Sequence, residues 1–264
     1  MTTSDEMGLT PQAAQSYEEF FVPAIFHQWP EQIISASAIS ESDDVLDLGC
    51  GTGALTRKIV GRAGTTIGID LSESMLGVAR QVCPAATFQQ GSADDLPFED
   101  SSFDTVVSAF MLMFLSDPKK AVGEMQRVLR PGGRLVASVW QGLGDNPVYE
   151  ALVEAIREVI DDASAESMAW PFLMGDVKKI EEVFDVVGLS TPSITPHDGY
   201  ATFPSVEEFV AIEIQAWLLA DSIGADQIAE IAVKLRENYP DFSNSDGPIR
   251  FPLNAFIVSA ASSG

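Results

Sequence analysis

The sequence is poor in cysteine and histidine, and this scarcity excludes several kinds of site. The 264 residues include only 2 cysteines and 2 histidines. Cys50 and Cys83 are too few for a disulfide framework and lack the spacing of metal ligands. His27 and His197 do not complete a zinc site with them. We therefore expect neither a disulfide-stabilised fold nor a structural metal.

Basic residues are also scarce. The chain has 15 Lys and Arg against 39 Asp and Glu, a net charge of −24 and a pI near 4.1. Such a charge repels polyanions, so nucleic acids and anionic membrane surfaces are poor partners. The acids are scattered in short groups, which predicts a solvated acidic surface. Adaptation to high salt remains an open alternative.

Long apolar runs are missing as well. Hydrophobic residues make up 46% of the chain and charged residues 20%, yet no uninterrupted apolar run approaches the roughly 20 residues that span a bilayer. Residues 1–6 lack the basic and apolar regions of a signal peptide. We therefore expect a cytoplasmic protein without membrane insertion, and the sequence does not indicate its oligomeric state.

What the sequence does contain is a glycine-rich turn between a buried strand and a helix. Residues 45–48 are Val-Leu-Asp-Leu, glycines occupy positions 49, 51 and 53, and a helical pattern begins at Ala54. Glycines there let backbone N–H groups approach a ligand at a helix N-terminus. The same spacing also fits the dinucleotide fingerprint of NAD and FAD proteins, so the glycines alone do not separate the two classes.

Asp47, at the end of the strand, distinguishes between them. A carboxylate facing a pyrophosphate is repelled by roughly a kcal/mol or more. The same carboxylate suits a ligand that carries an ammonium group and no phosphate, and S-adenosylmethionine is such a ligand. The residue therefore favours S-adenosylmethionine, with an NAD(P)-dependent oxidoreductase as the disfavoured alternative.

Five motifs in a fixed order connect the chain to a known family. The motifs occupy residues 45–53, 68–76, 91–98, 102–107 and 127–135. In this order they resemble the class I (Rossmann-like) S-adenosylmethionine-dependent methyltransferases, in the ubiquinone/menaquinone-biosynthesis-like branch (methyltransferase type 11). The resemblance runs from about Tyr17 to Trp140.

Strands and helices alternate along this region, which predicts a parallel, doubly wound α/β sheet. We expect strands near 44–48, 66–70, 86–89, 104–108 and 134–140, and helices near 54–63, 73–82 and 118–129. The resemblance implies seven strands, with an antiparallel last strand near 253–260 beside a partner near 190–196. The predicted organisation is a helical cover over 1–43, a cofactor-binding core over 44–141, and a completion of the sheet over 142–264 with a helical lid near 200–245.

The resemblance also assigns cofactor-binding roles. It implies that Asp47 orients the ammonium group and that Asp70 accepts hydrogen bonds from both ribose hydroxyls. The other implied contacts are backbone approach at Gly49, Cys50 and Gly51, packing of Leu71 and Met75 on adenine, the backbone of Ala93 at the adenine edge, and Tyr17 at the methionine end. Either Tyr17 makes this contact or it only packs.

One position departs from the family. Many relatives carry an acid at the position of Ser92, where it accepts from the adenine amino group. Asp94 or the Ser92 hydroxyl is expected to compensate.

The substrate side is almost wholly apolar. We expect Phe110, Met113, Trp140 and Trp217 to line the substrate pocket, although aromatic residues are more often plain core. His27, on the predicted cover, is the one candidate general base, with a surface histidine as the alternative. In-line methyl transfer requires no catalytic triad, and none is apparent.

These patterns predict an enzyme that methylates an apolar or aromatic small molecule on O, N or C. The alternative function uses the same fold and bound S-adenosylmethionine without methyl transfer, as in a cyclisation or decarboxylation.

Overall fold

The computed structural model describes residues 10–216, 223–242 and 247–263. These residues form two compact units. The first, here the sheet unit, comprises residues 10–139, 176–197 and 256–263, and the second unit comprises residues 140–175 and the described part of 198–255. The predicted cover and most of the predicted core thus belong to one unit. The predicted domain boundaries at residues 43 and 141 remain a prediction from the sequence.

Nine strands lie in the described residues. They are β1 (Asp44–Leu48), β2 (Thr65–Asp70), β3 (Thr87–Gln90), β4 (Phe103–Ala109), β5 (Leu129–Trp140), β6 (Ser193–His197), β7 (Tyr200–Phe203), β8 (Ile249–Pro252) and β9 (Ala255–Ala261). Seven form one mostly parallel sheet in the order β3-β2-β1-β4-β5-β9-β6, with one antiparallel strand. The predicted Rossmann-like α/β fold is confirmed.

The α-helices lie mainly where the sequence predicts them. They are α1 (Pro11–Ser16), α2 (Pro30–Ser37), α3 (Thr56–Ile59), α4 (Glu73–Val82), α5 (Pro118–Val128), α6 (Pro147–Val159), α7 (Asp162–Ala169), α8 (Val177–Phe184), α9 (Val206–Ala216) and α10 (Ala225–Asn238). Side chains cap several of them: Ser72 accepts from the Met75 amide, and Asp117 accepts from the Lys120 amide. Such caps satisfy N–H groups that have no partner within the helix.

A π-helix connects α1 to the residues before α2. It spans Tyr17–Phe26 and includes Pro23, whereas Pro30 occupies the first turn of α2. Proline lacks the N–H that a helix interior needs, but the first turn does not use it. Pro30 therefore opens a helix, and Pro23 lies inside a segment whose hydrogen-bond pattern is already irregular.

Two elements differ from their predicted bounds. The predicted helix 54–63 is only α3, because the glycine turn continues through Gly53 at φ +82° and the chain leaves the helix at Val60, before Gly61 at φ +83°. The predicted strand 134–140 begins at Leu129. Its register against β4 shifts between Phe103 and Thr105, and in the irregular part the Gly132 amide donates to the Ser262 carbonyl at 3.0 Å.

The centre of the sheet places a cleft at the ends of β1 and β4. The chain runs from β1 outward to β3 and then returns to β4 on the other side of β1. Ligands in such sheets bind where the strand order reverses, outside the carboxyl ends of the strands. Val45, Leu46 and Val106 are fully buried in these strands, which makes the strand ends a rigid base for a site.

The described part of the second unit contains four α-helices and a small sheet. Helices α6, α7, α9 and α10 lie there, and β7 pairs with β8 in antiparallel register, a sheet that the sequence did not predict. The start of α6 is held by Asn146, whose side chain accepts from the Asn254 amide at 2.6 Å. Trp217, part of the predicted lid, lies outside the described residues. No helix in the described part of the chain is long and apolar enough to cross a membrane.

Candidate functional site

The glycine turn after β1 forms the floor of the site. Gly49, Gly51 and Gly53 have φ values of +69°, +54° and +82°, a region that residues with a side chain rarely adopt. The amides of Gly49 and Cys50 both donate to the Ile69 carbonyl, at 2.8 and 3.0 Å. These bonds fasten the turn to the end of β2.

Asp70, the last residue of β2, is bound to the same turn. Its carboxylate accepts from the Gly51 amide at 2.8 Å and from the Ser72 amide at 2.9 Å. Burial raises the pKa of Asp70, and the backbone hydrogen bonds counter that rise. Because each carboxylate oxygen has two acceptor sites, both oxygens can still accept from a ligand hydroxyl.

Asp47 is a fully buried carboxylate at the end of β1. One oxygen accepts from the Thr56 hydroxyl at 2.6 Å, and Oδ1 has no hydrogen-bond partner among the described residues. Burial, with a smaller contribution from the charge of Asp70, raises its pKa to about 7, and the hydrogen bond from Thr56 opposes this rise. A buried acceptor without a partner is costly in a protein interior, so this atom is suited to a positively charged donor supplied by a ligand.

A cleft within the sheet unit opens at these strand ends. Its lining includes Tyr17, Asp47, Gly49, Cys50, Gly51 and Phe110, all predicted site residues. It also includes residues that the sequence analysis did not select: Phe26, Trp29, Pro30, Ile33, Thr52, Ala54, Leu55 and Ala109.

Aromatic rings form one wall of the cleft. Phe110 lies 5.5 Å, between ring centroids, from both Phe26 and Trp29, and Tyr17 lies 5.5 Å from Phe26. Phe110 has φ +54°, and its amide donates to the carbonyl and hydroxyl oxygens of Ser138. A positive φ is rare for a bulky residue and occurs often at ligand-binding sites.

The residues predicted for the adenine side lie beyond the ends of β2 and β3. Met75 is buried with Ala14 and Val78, and Tyr17 packs against this cluster. The Ser92 hydroxyl accepts from the Asp94 amide at 3.2 Å. Oδ1 of Asp94 is buried without a hydrogen-bond partner among the described residues.

Leu71 is half-buried, and its carbonyl accepts from the Gln90 side chain at 2.9 Å. Ala93 is likewise half-buried in the loop after β3.

The remaining predicted residues are less closely placed. His27 is exposed at the end of the π-helix, and the residues lining the cleft do not include it. Met113 is buried in the short helical turn Leu112–Phe114, and Trp140 is buried at the end of β5. Trp217 is outside the described residues. In the described part of the chain, no group of His, Cys, Asp and Glu is arranged to hold a metal ion.

The π-helix is hydrogen-bonded to the glycine turn and the helix after it through Glu18, a connection that the sequence did not predict. Thr52 and Arg57 both donate to the Glu18 carboxylate, at 2.6 and 2.5 Å. Thr52 is nearly fully buried and also lines the cleft. Glu18 follows Tyr17 in the chain, but no sequence pattern pairs it with residues more than thirty positions away.

Part of the sheet unit matches a known protein family. Residues 46–137 match the family described as the methyltransferase domain. The resemblance to class I methyltransferases of the ubiquinone/menaquinone-biosynthesis-like branch is thereby confirmed for this segment.

Individual relatives are similar over the same region. The ubiquinone/menaquinone biosynthesis C-methyltransferase UbiE of Psychromonas ingrahamii is 38% identical over 133 residues, which are 47% of this chain and 51% of that protein. A demethylmenaquinone methyltransferase of Renibacterium salmoninarum is 32% identical over 57% of this chain and 65% of its own length. The chain therefore spans between half and two thirds of these curated relatives.

A solved structure shares the fold more widely. The phosphoethanolamine N-methyltransferase 2 of Haemonchus contortus, in complex with S-adenosyl-L-methionine, has a TM-score of 0.61 and 18% sequence identity to this chain. The similarity covers 97% of this chain and 58% of that one.

Proposed function

We propose that this protein is an S-adenosylmethionine-dependent methyltransferase that acts on an apolar or aromatic small molecule. The observation that carries the proposal is the pair of buried carboxylates at the glycine turn. Asp47 and Asp70 end neighbouring parallel strands, and each retains capacity to accept hydrogen bonds. The matched methyltransferase domain and the names of the relatives support the same activity.

The residues present fit this cofactor. Oδ1 of Asp47, buried and without a hydrogen-bond partner among the described residues, would accept from the ammonium group, and Asp70 would accept from the ribose hydroxyls. Oδ1 of Asp94 would accept from the adenine amino group, because it is buried without a hydrogen-bond partner among the described residues. Gly49, Cys50 and Gly51 would offer backbone carbonyls, because their amides already donate to the Ile69 carbonyl and the Asp70 carboxylate. The adenine ring would pack on Leu71 and Met75, and its edge would meet the backbone of Ala93.

The chain's contribution to the reaction is positioning and exclusion of water. Bound S-adenosylmethionine supplies a methyl group on a sulfonium that is already a good leaving group. Holding a nucleophile about 3 Å from that carbon can contribute roughly 7–11 kcal/mol. The aromatic wall formed by Phe26, Trp29 and Phe110 lowers the local dielectric and excludes water from this side of the cleft.

The same wall supports an aromatic acceptor. Flat rings pack well on aromatic side chains in offset or edge-on geometry, and the relatives are named for methylation in quinone biosynthesis. Phe110 lines the cleft, and Met113 follows it in the chain. Trp140 and Trp217 remain proposed pocket residues. His27 remains a proposed base that would need to approach the substrate from an exposed position.

One alternative function of the same site defines the test. In the non-methylating alternative, the same residues bind S-adenosylmethionine without consuming it. Incubation with S-adenosylmethionine and a panel of phenols and hydroquinones, followed by mass spectrometry, separates the two functions. Release of S-adenosylhomocysteine together with a methylated acceptor supports methyl transfer. Conversion of an acceptor without S-adenosylhomocysteine supports the alternative. The excess of acidic residues supports the further proposal that nucleic acid is not a substrate.

A further inference from the structure

We propose that Glu18 is a positioning residue that fastens the π-helix Tyr17–Phe26 to the glycine turn and thereby slows release of the cofactor. The inference rests on the proposed function, because it concerns the same cleft. It assigns a role to a residue that neither contacts the reacting atoms nor belongs to the recognised motifs.

The first support is the geometry of the Glu18 carboxylate. Its two oxygens bind different residues of the turn and of the helix after it: Oε2 accepts from Thr52, and Oε1 accepts from Arg57. The side chains of Glu18 and Arg57 are only 15% and 27% exposed. Charge-assisted hydrogen bonds in such partly buried places are stronger than ordinary surface ion pairs, which contribute little.

The second support is what these bonds hold in place. Thr52 lines the cleft, and so does Tyr17, the residue next to Glu18. Burial raises the pKa of Tyr17, and the negative charges of Asp70 and Glu18 add to the rise. Glu18 thus connects a residue on the floor of the cleft with a residue on its cover.

The third support is the backbone of the cover itself. The segment Tyr17–Phe26 is a π-helix with a proline inside it, and its last turns carry Phe26 into the aromatic wall. π-Helical turns are rare and occur frequently at functional sites. Glu18 is in the first turn of this segment, so its bonds fix where the irregular helix begins relative to the glycine turn.

The same cover provides a matched control. Glu31, in α2, pairs with Arg62 through two hydrogen bonds of 2.8 and 2.9 Å. This pair is as well formed as the Glu18 pair, but its side chains are 61% and 44% exposed and neither residue lines the cleft. A variant of Glu31 therefore measures the effect of losing an exposed ion pair. Comparison with a variant of Glu18 then isolates the effect of the hydrogen bonds that Glu18 accepts.

The test compares Glu18→Gln, Thr52→Val, the double variant and Glu31→Gln in the full-length protein. Titration calorimetry and stopped-flow displacement give the Kd and the dissociation rate of S-adenosylhomocysteine, and thermal melting without ligand gives Tm. We expect Glu18→Gln to raise both Kd and the dissociation rate by about fivefold or more, the lower end of the usual coupling range. Glu31→Gln should change neither, and the double variant should be less affected than the sum of the single variants.

Three results would overturn the proposal. One is a fall in Tm for Glu18→Gln with unchanged Kd and dissociation rate, which makes Glu18 structural only. Another is an equal loss of affinity in Glu31→Gln, which makes the effect a general property of the cover. The last is additive effects of Glu18→Gln and Thr52→Val. Wild-type protein that fails to bind S-adenosylhomocysteine would instead reject the proposed function itself, and this inference with it.

Discussion

Burial of the Asp47 carboxylate changes the pH at which it ionises. In the unfolded chain an aspartate ionises near pH 3.9, whereas burial, with a smaller contribution from Asp70, raises the pKa of Asp47 to about 7 in the folded protein. Between these values the native state holds a proton that the unfolded chain has released. Stability therefore falls as pH rises through this window.

The variant Asp47→Asn tests this effect, because an asparagine stays neutral and still accepts from Thr56. Each pKa unit corresponds to about 1.4 kcal/mol. Relative to the variant, the wild type should therefore lose on the order of 2–4 kcal/mol of unfolding free energy between pH 5 and pH 8. Urea unfolding at several pH values measures the difference. Parallel pH profiles for the two proteins would show that Asp47 ionises normally in the folded state.

Asp70 has two roles, whereas the sequence indicated only one of them. It is the proposed ribose acceptor, and it also holds the amides of Gly51 and Ser72. Asp70→Asn keeps the shape but replaces one acceptor oxygen with a donor. We expect S-adenosylhomocysteine affinity to fall by roughly 1.5–3 kcal/mol, the range for hydrogen bonds to charged groups. Calorimetric titration measures the loss, and unchanged affinity with a lowered Tm would reject the ribose role.

Asp94 is expected to set the preference for adenine. Its buried Oδ1 accepts from an amino group but repels the carbonyl oxygen that hypoxanthine has at the same place. Wild-type protein should therefore prefer S-adenosylhomocysteine to S-inosylhomocysteine by roughly 1–3 kcal/mol, the cost of an unsatisfied buried group.

In Asp94→Asn most of that preference should disappear, whereas the neighbouring Asp95→Asn should keep it. Competition binding with the two ligands measures the ratio. A preference that survives in Asp94→Asn would return the role to Ser92.

At the scale of single residues, the sequence predicted which types would meet at the cleft but not how each is bound. Asp47, Gly49 and Gly51 follow from a short motif, because strand ends and tight turns are local features. The partners of Glu18, and the absence of a partner for Oδ1 of Asp94 in the described part of the chain, depend on distances between segments far apart in the sequence. No local pattern contains that information.

At the scale of elements, the glycine turn combines two distinct requirements. At Gly49 a Cβ would lie 2.3 Å and 2.7 Å from the Cγ and Cβ of Met111, whereas at Gly51 it would meet nothing within 4 Å. Both positions have positive φ. The first glycine therefore provides backbone freedom and space, and the second provides backbone freedom alone.

The pair Gly49→Ala and Gly51→Ala tests this division. Gly51→Ala should destabilise the protein by about 1–2 kcal/mol, the cost of a left-handed conformation for a residue with a side chain. Gly49→Ala should lower the free energy of unfolding clearly more, because the Cβ of Met111 cannot move aside without a shift of the Met111 backbone. Denaturant unfolding of both variants gives the comparison, and equal losses would contradict the steric argument.

Element positions could be predicted from sequence wherever burial pattern and capping agreed. β1 and α4 have the predicted bounds, and α5, capped by Asp117, begins at the predicted residue 118. The errors arose where backbone conformation overrides pattern. Gly53 and Gly61 confine α3 to one turn, and the irregular residues after Leu129 lengthen β5 through bonds to Ser262. The β7–β8 pair was missed because its two short strands are separated by more than forty residues.

At the scale of the whole molecule, the net negative charge of the chain and the buried acids of the site favour the same kind of ligand. Most basic residues of the described chain are already engaged: Arg130 bridges Asp44 and Asp104, and Arg127 binds Asp100 and Glu124. The Arg130 pairs connect β5 with β1 and β4 in the sheet unit. The large negative charge that remains disfavours ligands with phosphate groups, and the buried acids at the glycine turn favour a ligand that carries positive charge.

The most direct test of this account is a calorimetric titration of the wild-type protein with S-adenosylhomocysteine and, separately, with NADH. The account predicts micromolar-range binding of S-adenosylhomocysteine and no measurable heat with NADH, because Asp47 opposes a pyrophosphate at the turn. Heat of binding with NADH and none with S-adenosylhomocysteine would contradict the central claim.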